Sequence, residues 1–120
     1  MGDVITYRGQ LSSSPDWSNW TADGQYHAVD ASSIVPSGAK AVILEVWLQA
    51  NQATAGIFFR KYGGGSTVQE ACMYAQVANV ISQAQLIVFL SQDLKFEYML
   101  NSGVTYTYKH VWVVGWIGPE

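Results

Sequence analysis

Charge is what this chain has least of. Charged side chains make up 12% of its 120 residues, roughly half the share of an ordinary soluble domain. So few charges leave little to keep a surface wetted. Part of the apolar surface is therefore expected to be covered by a partner or by further copies of the chain. Basic residues are scarce and scattered: Arg8, Lys40, Arg60, Lys61, Lys95 and Lys109, within a formal net charge of −3. A nucleic-acid binder needs a basic face that neutralises several phosphates, and these positions supply none. The single cysteine, Cys72, excludes an internal disulfide and reads by residue type as a small buried apolar group. No apolar run reaches the ~18 residues of a membrane helix. The first residues lack the basic start and apolar stretch of a signal peptide. A soluble chain made in the cytoplasm, or exported by a route other than a cleaved signal, is expected, with no membrane partner.

Catalytic groups are equally thin. The two histidines, His27 and His110, stand far apart in sequence and form neither His-x-His nor His-Glu-x-x-His, so no metal or other cofactor is expected. Glu45, Glu70 and Glu97 fall on expected strands, and Asp16, Asp23, Asp30 and Asp93 fall in turns. Their spacing defines no facing acid pair. A Gly-x-Ser-x-Gly elbow is absent. Gly63-Gly64-Gly65 lacks the Lys-Ser or Lys-Thr of a phosphate loop and reads as a hairpin turn. Asn19-Trp20-Thr21 matches a glycosylation sequon, but no export signal accompanies it. No catalytic residue is assigned, and the chain is expected not to be an enzyme.

Alternating polarity and aromatic rings are what the chain does have. Val42, Leu44, Val46 and Leu48 alternate with Ile43, Glu45, Trp47 and Gln49, which is the period of a strand with two unlike faces. Similar stretches occur at 4–8, 24–29, 57–62 and 94–100. Leu86–Leu90 is a continuous apolar run suited to a strand covered on both faces. The segment 67–82 fits a helix or a strand, and its strand-rich surroundings favour mostly strand with a break near Ala78. In the last strand, 105–117, one face is expected to carry Tyr106, Tyr108, His110, Trp112, Val114 and Trp116. Gly115 inside it points to a bulge or the close approach of another backbone. About eight strands with regular turn signals predict one all-β domain over 1–120, an antiparallel two-sheet β-sandwich of jelly-roll-like form.

The five tryptophans and seven tyrosines are the strongest functional signal, because exposed rings anchor protein interfaces and stack on sugars. Trp17, Trp20 and Trp47 are candidate ligand or partner contacts; the first two lie in a loop, where simple packing of the loop is the alternative. Tyr106, Tyr108, Trp112 and Trp116 are candidate oligomer-interface residues, with the core as the alternative place for Trp112 and Trp116.

The stretch Asp30-Ala-Ser-Ser-Ile-Val-Pro-Ser-Gly-Ala-Lys-Ala-Val42 resembles β-sandwich modules of tailed-phage virion proteins. So do Phe58-Phe-Arg-Lys-Tyr-Gly63, Ala75-Gln-Val-Ala-Asn79 and Val113-Val-Gly-Trp-Ile117. The resemblance implies a jelly-roll-like fold and a structural or receptor-binding role in the virion, as a capsid decoration or tail-fibre module. It also implies assembly with itself, commonly as a trimer, and with other virion proteins. It brings no catalytic residue. A carbohydrate-binding module, using exposed tryptophans on a host-surface glycan, is the alternative.

Overall fold

The computed structural model describes residues 2–9, 12–63 and 70–119. Eight strands run in the order β1 (Asp3–Tyr7), β2 (His27–Asp30), β3 (Ala41–Ala50), β4 (Gly56–Lys61), β5 (Ala71–Tyr74), β6 (Ser82–Phe89), β7 (Lys95–Leu100) and β8 (Tyr106–Pro119). They form two four-stranded sheets, β1-β8-β3-β6 and β2-β7-β4-β5. The antiparallel ladders join β1 to β8, β2 to β7, β3 to β6 and β4 to β5. That nesting is a folded ribbon rolled up until β8 lies beside β3 and β7 beside β4. It is the jelly roll, an eight-stranded double Greek key.

The sheets face one another through the even residues of β3, with Val42, Leu44, Val46 and Leu48 fully buried, and through Ile57, Phe59, Phe96 and Leu100 of the second sheet. The ambiguous segment resolves into strands. β5 ends at Tyr74, a turn runs through Gln76–Val80 with Asn79 at φ 62°, and β6 begins at Ser82. The first part of that segment, 67–69, lies outside the described residues, as do Gly64 and Gly65 of the glycine turn. Asn tolerates a left-handed backbone because its short polar side chain can bond locally.

Two expectations about faces need correction. Leu86–Leu90 is not covered on both faces. β6 is an edge strand, so Val88 is buried against the core while Ile87 and Phe89 stand half exposed outside. The run is apolar on its outer side for a reason that burial within one chain does not supply.

The aromatic series of β8 does not keep one face either. Its ladder with β3 slips twice: Ile43 faces Gly115 but Leu44 faces Val113, and Gln49 faces Tyr108 but Ala50 faces Tyr106. Val114 and Thr107 are thus the extra residues of two bulges. Each inserted residue switches the alternation. Trp116, opposite Val42, and Tyr106, opposite Ala50, pack against the core. Tyr108, His110 and Trp112, opposite Gln49, Trp47 and Glu45, stay on the outer face.

Gly115 sits beside the first bulge, as its isolation in a strand foretold. A Cβ there would lie 2.5 Å from the carbonyl oxygen of Thr6 and 3.3 Å from Cα of Tyr7. Both are main-chain atoms of the neighbouring strand, so nothing flexible can yield. Gly115→Ala is expected to cost about 1–3 kcal/mol through overpacking. Gly2→Ala, where a Cβ meets nothing within 4 Å, is expected to change little. Urea midpoints of the two variants against the parent check this.

Candidate functional site

Several of the few charges are spent inside the architecture. β1 ends at Tyr7, leaving β8 without a partner strand further along. Arg8 and Asp16 fill that gap as a salt bridge of 2.7 Å. The main-chain N–H of Arg8 donates to the Val114 carbonyl, and that of Val113 donates to the Asp16 carboxylate at 2.8 Å. Trp17 continues the edge with a reciprocal main-chain pair to Val111. On the other sheet Arg60 pairs with its cross-strand neighbour Glu97 and lies 3.7 Å over the Tyr26 ring. His27 meets both carboxylate oxygens of Asp23 at 2.9 Å. That bond, with the Gln25 N–H, holds the Asp23 carboxyl below its ordinary value of 3.8. Among the described residues no three His, Cys, Asp or Glu side chains converge.

The loop tryptophans are plugs. Trp20 is 9% exposed and stacks on Tyr98 with ring centroids 4.1 Å apart. Trp17 stacks on Trp20 in turn and meets Phe96 edge-on. The Thr21 N–H donates to the Tyr98 hydroxyl at 2.8 Å. The loop therefore bridges the open side of the sandwich from β8 to β7, and Trp20 lines no groove. Of the two expectations for Trp20, contact or loop packing, its burial agrees with packing.

Cys72 also departs from expectation. It is exposed, because Met73 takes the inward position on β5. Its thiol is expected to react with a chromogenic disulfide reagent as fast in native protein as in urea. Protection of the native thiol would show that Cys72 is covered.

Besides the exposed Val77, Val80 and Ile81 of the β5–β6 turn, the described residues leave one extended apolar surface without a structural explanation, the outer face of β1-β8-β3-β6. Its ladders define rows across the sheet. One row is Ile5, Ile117, Ala41 and Phe89; the next is Tyr7, Gly115, Ile43 and Ile87. Neither row contains a charge. Tyr7 is 69% exposed, Phe89 55%, Ile5 54% and Ile87 50%. Further along, the rows change character to Trp112, Glu45 and Gln85, then His110, Trp47 and Gln83. Trp47 is half-buried, meets Trp112 edge-on at 4.9 Å and donates its Nε1–H to Glu45 at 2.9 Å. Trp112 is 6% exposed and donates to the Ser12 carbonyl. Of the predicted contacts, Trp47, Tyr108 and Trp112 lie on this outer face, with Trp112 itself covered. Trp17, Trp20, Tyr106 and Trp116 pack against the core.

A cavity of about 660 Å³ adjoins the apolar rows, with Phe89, Leu90, Lys40, Lys61 and Glu70 among its walls. There Lys40 Nζ donates to Asp3 at 2.9 Å, and the Glu70 carboxylate accepts the Lys61 main-chain N–H. No family model, curated protein or solved structure matches the chain.

Sequence reasoning missed Ile5, Tyr7, Ile87 and Phe89. The signal for the last two was present: no charged residue occurs between Glu70 and Asp93.

Proposed function

We propose that this chain is a non-enzymatic structural protein of a phage or prophage particle. Copies of it assemble through the outer face of β1-β8-β3-β6, coating a capsid or tipping a tail fibre. The observation that carries the assembly reading is the pair of uncharged rows ending in Ile5, Tyr7, Ile87 and Phe89, half or more exposed at both edges of one sheet. The likeness of residues 30–42, 58–63, 75–79 and 113–117 to tailed-phage virion modules supports the setting, and with it a trimer and other virion proteins as partners.

Magnitudes bound the strength of such a contact. Fully covering one large apolar side chain is worth about 1.5–3 kcal/mol, so these half-exposed groups contribute about 1 kcal/mol each. Two copies together gain about 8 kcal/mol, set against an association cost of about 4–15 kcal/mol. The rows alone give a weak, concentration-dependent contact. The chain is expected to sediment as an oligomer at tens of micromolar and to dissociate on dilution. Tyr7→Ser with Phe89→Ser is expected to leave it monomeric throughout. A parent chain monomeric at 100 micromolar would overturn the reading.

One observation favours the glycan alternative. Trp47 is held by Glu45 beside the amides of Gln83 and Gln85, the mixture of ring and hydrogen-bonding groups that suits a sugar. Binding to a broad glycan array that disappears in Trp47→Ala would favour it. Binding unchanged by that substitution, or no binding, would count against it.

A further inference from the structure

The two sheets have four edge strands, and three are short. β1 has five residues, and the edge beyond it is closed by Arg8, Asp16 and Trp17. β2 and β5 have four residues each. β6 has eight, and among the described residues it pairs with β3 alone. Its sequence, Ser-Gln-Ala-Gln-Leu-Ile-Val-Phe, contains no charge, no proline and no glycine. Edge strands are ordinarily protected by charge, proline, a bulge or shortness, because a row of unmet N–H and C=O groups is a template for another strand. Here the protection is missing from the longest edge, and that edge borders the two apolar rows.

We infer that β6 pairs edge to edge with β6 of a second copy, antiparallel about a two-fold axis, joining the two outer sheets into one of eight strands. This rests on the assembly reading above and specifies one contact within it, a two-fold one that joins copies in pairs. The occupant is a second copy because the strand is its own complement. It is neutral along its whole length, so meeting itself raises no charge repulsion. A two-fold axis perpendicular to the sheet also keeps both apolar faces on the same side. Directly opposed residues of an antiparallel pair share a face, so odd-numbered residues must meet odd-numbered ones. The two registers of greatest overlap place Gln85 opposite either Ile87 or its own copy. Main-chain hydrogen bonds then add to the apolar burial that alone is marginal. The joined sheet presents a doubled apolar face for further copies, as a coat requires.

The test places charge on this edge without touching the core. Gln83 and Gln85 are exposed on the outer side. In sedimentation velocity at low salt, Q83K/Q85K alone and Q83E/Q85E alone are each expected to associate at least tenfold more weakly than the parent. An equimolar mixture is expected to recover association as a heterodimer. Each variant's fold is checked by far-UV circular dichroism. Should either fold poorly, amide exchange on the unaltered chain reads the same contact, as slowing of β6 amides with rising concentration. Folded variants that associate as the parent does, or β6 exchange independent of concentration, would overturn the edge pairing. If Tyr7→Ser with Phe89→Ser still abolishes association in that case, assembly through the face stands without it. A monomeric parent would overturn both.

Discussion

The register of β8 is the constraint from which the rest follows. This strand lies between β1 and β3 and carries the densest aromatic sequence in the chain. A regular strand would put all of those rings on one side. The bulges at Thr107 and Val114 divide them instead. Tyr106 and Trp116 go to the core, where each covers one end of the sandwich. Tyr108, His110 and Trp112 go outward beside Trp47. The division is fixed by main-chain geometry, since Gly115 lets Thr6 and Tyr7 approach where any side chain would collide.

The same strand explains where the charges went. β8 outruns β1, and its unmet main-chain groups have to be satisfied, since a buried N–H without a partner costs about 1–3 kcal/mol. Asp16 and Arg8 supply side-chain partners, and Trp17 supplies main-chain ones. Their loop then carries Trp20 between the sheets. Elsewhere Arg60–Glu97, Lys40–Asp3 and His27–Asp23 hold neighbouring segments together. Polar side-chain contacts are thus used as internal ties, and the Ile5–Phe89 and Tyr7–Ile87 rows of β1-β8-β3-β6 are left without charge. The assembly proposed above uses that uncharged part of the face.

Much of the fold was legible in the sequence, because period two is a strong signal wherever one face is buried. β3 stands at its expected bounds, and its even residues form the core as alternation required. The eight strands and the two-sheet architecture follow from the same pattern. Legibility failed where pairing partners decide the outcome. Nothing local distinguishes Leu86–Phe89 as an edge strand from a doubly covered one, since the difference lies in which neighbours are absent. The β8 bulges depend on register with β3, although Gly115 marked one of them. Cys72 was judged by its type, whereas its exposure is set by Met73 taking the inward side. Trp17 and Trp20 were judged by their loop, whereas the loop fills an opening that only the assembled sheets create. Trp47 was placed correctly on the outer face because the alternation of β3 holds through Glu45, Trp47 and Gln49.

Radical footprinting across a concentration series reads the covered face directly. Tyr7 and Phe89 on the outer face should lose reactivity as concentration rises. Tyr62 and Tyr74, 39% and 40% exposed and belonging to the other sheet's side of the molecule, should keep theirs. Equal reactivity of all four at every concentration would contradict assembly through the β1-β8-β3-β6 face.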